Sequence, residues 1–272
     1  MAEILSHPNF DSLTIETLDG ESHDWEEIIK KMDDDDFYYG YLGKFALSSS
    51  IIKTILKSPK EYYRYLRDGS DADSQPLRDG KLFHWKILEP HVFDAINVIE
   101  VSSKNTKAYK EAVQELGTVF LRKEVNNAIS LADALTLNEE VKDYLNDAHY
   151  EVPQIQMIEG IPIRGKADIL KGDCIIDLKT TADISTFKYS ARKYGYDLQA
   201  YLYLQLFPEC KSFKFICIDK KTKDIGIYEC SQEFLDSGKA KLERGIQTFK
   251  ELFANQEQVE RKLSQLVIKG TL

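Results

Sequence analysis

No stretch of the chain approaches the roughly 20 consecutive apolar residues needed to span a bilayer, which argues against a membrane helix. The N-terminus lacks a basic start followed by an apolar run. No secretory leader is therefore expected, and a cytoplasmic location is the default expectation. Only seven prolines occur in 272 residues, against 43% hydrophobic and 30% charged. That balance excludes a disordered or fibrous chain. It leaves a globular one long enough for a substantial core, as one large domain or one domain with an appended helical part. The four cysteines, Cys174, Cys210, Cys217 and Cys230, contain no CxxC pair. A structural metal or cluster and a disulfide framework are both disfavoured. Cys174 and Cys217, in strand-like surroundings, are expected to be small buried hydrophobes.

Positive charge is also scarce. The net charge is -9, which on its own argues against nucleic acid. Its distribution weakens that objection. Residues 1–40 carry twelve acidic and two basic side chains, a net of -10, so the other 232 residues sum to +1. Binding follows local potential rather than the total. The acidic head, with Asp33, Asp34, Asp35 and Asp36 in a row, is expected to be a loosely structured segment over residues 1–44 with a short helix near Trp25–Met32.

Periodicity divides the remaining 45–272 into a helical part, about 45–148, and an α/β core, about 149–262. Serines 48–50 can cap a helix through Ile51–Leu56. Ser58-Pro59 interrupts it, and proline suits the first turn of the next. A polar loop is expected over Asp68–Asp79, then helices near 80–88, 106–116, 127–135 and 139–148. Period-two alternation marks strands at Ile155–Ile158, Ile163–Leu170 and Cys174–Leu178, with turns at Gly160 and Gly172. One long helix is expected from Lys188 to Leu206. A strand pair follows at Phe213–Ile218 and Ile225–Tyr228, and Ser231 caps a terminal helix reaching about residue 262.

The chemistry concentrates in Gly165–Thr181. Alternation along a strand puts Ile175, Asp177 and Lys179 on one face and Cys174, Ile176 and Leu178 on the other. A two-residue turn at Lys171-Gly172 sets Asp168 opposite Ile175 and diagonal to Asp177, within reach of it. Two carboxylates held together repel unless a cation separates them. A hard divalent ion such as Mg²⁺ resolves this, and it can activate water against a phosphoryl group. Lys179 can orient that water or stabilise developing charge. The triplet alone also fits a solvated strand face.

In their joint order, the motifs resemble the PD-(D/E)XK nuclease superfamily, and within it the RecE, RecB-nuclease and YqaJ-like phage exonuclease branch. The residues that carry the resemblance are Gly165 to Asp168, Ile175 to Thr180, and Gln199 to Tyr203, with Gly80-x-x-x-His84 and Leu88-Glu89-Pro90 upstream. Leu47 to Ser50, Ser58-Pro59 and Tyr62 match the family's first helix. The resemblance implies a central mixed sheet flanked by helices, with an N-terminal helical portion. It implies metal binding by His84, Asp168, Asp177 and the Leu178 carbonyl, with Lys179 as the catalytic lysine beside Asp168 and Asp177. Gln199 and Tyr203 become the extra motif that positions the site and the DNA backbone. By their own chemistry Thr180 can donate to a phosphate and Arg192 and Lys193 can neutralise one, so they are candidate substrate contacts, with a strand end and a solvated helix face as the alternatives. Mg²⁺ is the implied cofactor, and Mn²⁺ can substitute because imidazole takes part. Glu89 and Glu151 are candidates for outer support of the ion.

The function this implies is 5′-to-3′ digestion of linear double-stranded DNA from its ends, leaving 3′ single strands for recombination. The implied partners are a single-strand annealing protein and further copies of the chain, as a homo-oligomer or closed ring. A phage origin rests on the same resemblance. The alternatives are a RecB- or Cas4-like or structure-specific endonuclease of the same fold, and a non-catalytic DNA-binding assembly protein. A small-molecule enzyme is a further rival but lacks a recognisable cofactor loop.

Overall fold

In a computed structural model of the chain, the described residues are 13–69 and 74–267. Strands β1 (Thr14–Glu16) and β2 (Ser22–Asp24) form a small antiparallel pair that leads into helix α1 (Trp25–Lys31). A π-helical turn (Asp36–Tyr41) and α2 (Leu42–Phe45) follow. The helical part contains α3 (Ser49–Lys57), α4 (Pro59–Asp68), α5 (Gln75–Leu88) and α6 (Pro90–Asp94). A short parallel pair, β3 (Asn97–Ile99) with β4 (Val119–Leu121), embraces α7 (Lys107–Leu116), and α8 (Arg122–Thr136) and α9 (Glu139–Leu145) close this part. The main sheet takes β5 (His149–Ile158), β6 (Ile161–Lys171), β7 (Cys174–Thr181), β8 (Ser212–Asp219) and β9 (Ile225–Glu229) in that spatial order. Only β7 and β8 run parallel. The crossover between them holds α10 (Phe187–Lys193) and α11 (Tyr196–Leu206), and the described chain ends in α12 (Gln232–Phe253) and α13 (Val259–Ser264).

The sheet is covered on both faces. On one, Ile175, Phe213 and Phe215 pack with Ile52 and Ile55 of α3, Leu198 and Leu202 of α11, and Ile246 and Phe249 of α12. On the other, Ile176, Leu178 and Ile216 meet Phe83 of α5, Leu131 and Leu135 of α8 and Val141 of α9. The α/β class and the mixed sheet flanked by helices agree with the expectation. Among the described residues no helix is long and apolar enough to cross a membrane.

Several local expectations change. The loose segment expected over 1–44 is ordered in its described part, 13–44; residues 1–12 lie outside the described residues. Trp25, Ile28, Ile29 and Met32 follow the i, i+3, i+4, i+7 spacing of a buried helix stripe. They form their own cluster with Tyr38, Leu42 and Ile155 of β5, and the Trp25 indole N–H donates to the Ile155 carbonyl at 3.2 Å. The run of acids around them conceals that stripe in a charge count. Of the polar loop expected over 68–79, residues 70–73 lie outside the described residues, and α5 has already begun at Gln75. The single long helix expected over 188–206 is two helices. Gly195 sits at φ 66° between them, a left-handed conformation that ends one helix and starts the next on a new axis. The terminal helix likewise breaks after Phe253.

The β6–β7 turn is Gly172-Asp173, not Lys171-Gly172. Lys171 pairs with Cys174, Leu170 with Ile175 and Ile169 with Ile176. This register moves Asp168 from a position opposite Ile175 to one opposite Asp177. The shift is by two places, so the alternation of faces survives it.

Candidate metal centre

The β6–β7 ladder stops at Ile169–Ile176, so the two strands part just where Asp168 and Asp177 follow. Further along, β6 takes a different neighbour. The Leu47 backbone accepts from Arg164 N–H at 2.8 Å and donates to the Pro162 carbonyl at 2.9 Å. Between these two pairings lies an opening on the β7 side of the strand, and the candidate groups gather around it. The Asp168 carboxylate accepts from the Leu178 N–H at 2.9 Å, in place of a lost ladder bond. His84, from α5, lies within hydrogen-bond distance of the Leu178 carbonyl, with Nε2 2.8 Å away. A carbonyl only accepts, so Nε2 carries the hydrogen. His84 Nδ1 lies 3.4 Å from Asp168 Oδ2. An imidazole nitrogen and a carboxylate oxygen that close can share a cation.

Asp177 sits deeper, 3% exposed, under α11. Gln199 donates to its Oδ1 at 2.6 Å. Its Oδ2 is paired with the Lys179 ammonium. The carboxylates of Asp168 and Asp177, the His84 imidazole and the Leu178 carbonyl are donor types that a divalent ion takes, so the residues present fit such an ion.

The electrostatics agree. Burial raises the Asp168 carboxyl, and the Asp177 charge adds to this, pushing it to about 6 against the opposing pull of His84 and Lys179. Burial works to lower the Lys179 ammonium, but the Asp177 and Asp168 carboxylates overcome it and hold that group above the ordinary lysine range. The Tyr196 ring lies 5.2 Å from the same ammonium.

The structure thus brings together His84, Asp168, Asp177, Leu178, Lys179 and Gln199. It places the other candidates differently. The Tyr203 hydroxyl is taken up by the Lys166 backbone, donating to its carbonyl at 3.1 Å and accepting from its N–H at 3.3 Å. It supports β6 two residues from Asp168 rather than opening toward a substrate. Gly165 belongs to the same contact, because a Cβ there would stand 2.7 Å from Leu206 Cδ1 and 3.1 Å from Tyr203 Cζ. Helix α11 therefore approaches β6 closely enough to support the site. Thr180 is half-buried beside Lys179. Arg192 is held by Glu233 at 2.9 Å, and the exposed Lys193 lies over the Tyr194 ring at 5.7 Å. Neither has a contact with the six converging residues.

Two groups at the site carried weaker sequence signals. Lys53 lies on α3. Burial, followed by the Lys179 charge, pushes its ammonium down to about 8. Its amine lies 5.8 Å from the Tyr196 ring centre. Glu151, weighed only as outer support, has a ligand oxygen within 4.8 Å of ligand atoms of His84 and Asp168. Burial, then the Asp168 and Glu89 charges, raises its carboxyl to about 9. Among the described residues no cysteine joins such a group, and all four are free thiols.

Residues 48–263 match the family model described as a PDDEXK-like domain of unknown function (DUF3799). The chain belongs to this PDDEXK-like family. That places it in the PD-(D/E)XK nuclease superfamily. No curated protein sequence matches the chain. The fold is shared with the crystal structure of a candidate exonuclease from Eubacterium rectale, with TM-score 0.62 and 18% identity over 88% of this chain and 95% of that one. A phage-related exonuclease from Haemophilus somnus 129PT aligns at TM-score 0.31 and 18% identity, over 57% of this chain and 90% of that one.

Proposed function

We propose that this PDDEXK-like protein is a divalent-metal-dependent deoxyribonuclease acting on the ends of linear duplex DNA. The observation that carries the reading is the convergence of a buried and a half-buried carboxylate, a histidine and a half-buried lysine where β6 and β7 part. His84, Asp168, Asp177 and the Leu178 carbonyl would hold Mg²⁺, or Mn²⁺ in its place. The ion supplies Lewis acidity toward a phosphoryl oxygen and acidifies a bound water. Lys179, fixed as an ammonium by its carboxylate neighbours, is placed to stabilise charge on the scissile phosphate. Gln199 holds the Asp177 carboxylate in one orientation. Lys53, on α3, adds a second cation near Lys179 that a phosphate can approach.

The exonuclease name of the Eubacterium rectale structure favours an end-directed enzyme over an endonuclease. Polarity from 5′ to 3′, a single-strand annealing partner and assembly into a homo-oligomer or ring extend the proposal and rest on resemblance. Digestion of linear duplexes labelled separately at each 5′ and 3′ end, beside closed circles, with Mg²⁺, Mn²⁺ or EDTA, tests reaction class and direction together. Cleavage is expected only of linear DNA and only with metal. Asp177→Ala is expected to abolish it while the circular dichroism spectrum stays native. Undiminished metal-dependent cleavage by that variant would rule out the proposed centre.

A further inference from the structure

Strand β5 is regular on either side of Glu151 and irregular at it. Its ladder with β6 pairs Tyr150 with Ile169 and Val152 with Ala167, and the intervening couple, Glu151 with Asp168, is skipped. Glu151 sits at φ 49°, in the left-handed region. That conformation is costly for a residue with a Cβ, and more so inside a strand, where it forfeits ladder bonds. Nothing local repays it, since no turn, bulge or chain reversal occurs there. The register on either side sets Glu151 across from Asp168, and its carboxylate has an oxygen within 4.8 Å of ligand atoms of His84 and Asp168.

The fold therefore accepts two unfavourable features at one residue. One is the left-handed backbone and the other is a carboxylate crowded against another carboxylate. A cation between the acids offsets the crowding and gives the kink a purpose. We propose that Glu151 is a direct ligand of the divalent ion. With His84 and Asp168 it completes a set drawn from β5, α5 and β6. Asp177 differs from these three, because its oxygens already face Gln199 and Lys179. Two carboxylates and one imidazole suit a hard ion of the Mg²⁺ or Mn²⁺ type. The inference deepens the metal-centre reading and depends on it for the ion.

The test uses the full chain with Mn²⁺ as the probe, comparing wild type, Glu151→Gln and Glu151→Gly by titration calorimetry and by apo melting temperature. Glu151→Gln is expected to bind Mn²⁺ at least tenfold more weakly, with an apo Tm no lower than wild type. Glu151→Gly adopts the left-handed backbone freely. It is expected to melt higher than wild type without metal and to show the same loss of affinity. It keeps the question open to test even where the Gln variant folds poorly. A fall in affinity smaller than tenfold overturns the inference. So does a fall accompanied by lower apo Tm in both variants, which is the signature of a structural role. Wild type that binds no Mn²⁺ overturns the proposed function as well, whereas wild type and variants that bind it equally overturn only the role of Glu151.

Discussion

Replacing Asp168 with asparagine should stabilise the metal-free protein while destroying its response to metal. The side chain is 14% exposed, and its carboxyl is pushed from the ordinary 3.8 to about 6 by burial and by Asp177. The folded state therefore binds this proton more tightly than the unfolded chain does. The resulting penalty is slight near pH 4, grows as pH rises toward 6, and is complete above it. At pH 8 it amounts to on the order of 3 kcal/mol, at about 1.4 kcal/mol per tenfold in proton affinity. Asparagine keeps the acceptor for the Leu178 N–H and removes the charge. With EDTA at pH 8, at the lower end of roughly 2–4 °C per kcal/mol, Tm should rise by about 6 °C. The advantage should shrink as pH falls from 6 toward 4.

Metal reverses the order. An ion that binds only the folded protein stabilises it by about 2.7 kcal/mol at a hundredfold excess over Kd. Wild type should gain that increment with Mg²⁺ or Mn²⁺, and Asp168→Asn should gain little. Scanning calorimetry over a pH series, with EDTA and with metal, measures both effects. An Asp168→Asn protein that melts at or below wild type in EDTA at pH 8 would refute the reasoning. So would one that gains as much from metal as wild type.

Two further predictions concern the support behind the site. Gly165→Ala would place a Cβ 2.7 Å from Leu206 Cδ1. It should cost about 1–3 kcal/mol through overpacking between β6 and α11, read as a lower urea midpoint at unchanged m-value. Asp197, at the start of α11, is fully buried and is held by Lys241 at 2.6 and 2.8 Å and by Ser237 at 2.7 Å. Lys241→Met should destabilise by about 3–5 kcal/mol by leaving that carboxylate without its cation, and adding Asp197→Asn should recover much of the loss.

The candidate centre was legible largely because its residues lie on two adjacent strands, where alternation alone assigns faces. Asp177 and Lys179 are two apart, and Asp168 stands across one turn. Even a misplaced turn left Asp168 on the correct side, because the real turn, Gly172-Asp173, shifts the register by an even number. His84 needed the family resemblance, since one histidine on a helix declares nothing by itself. Spacing alone left the contact of Tyr203 undefined. Its spacing from Gln199 puts both on one helix face, but the face says nothing about where a hydroxyl terminates, and this one terminates on the Lys166 backbone. The short helix expected near Trp25–Met32 is α1, but weighing charge ahead of spacing hid that its Trp25, Ile28, Ile29 and Met32 stripe is buried.

Glu151 shows where pattern reading reaches its end. Period two predicts which face a strand residue takes only while its backbone stays extended. A single left-handed residue can sit in a strand without disturbing the register on either side, since the couples before and after Glu151 belong to one continuous ladder. Hydrophobic alternation cannot report such a residue, and neither can strand propensity, because glutamate is no better suited to the left-handed region than its neighbours. The departure is intelligible only from the opening beside it. There the β6–β7 ladder ends, Asp168 caps a freed N–H, and His84 Nδ1 lies 3.4 Å from Asp168. Local order is given up where negative and lone-pair-bearing groups are crowded together. A fold that needed only stability would keep β5 extended, whereas one that must hold a cation gains from the distortion.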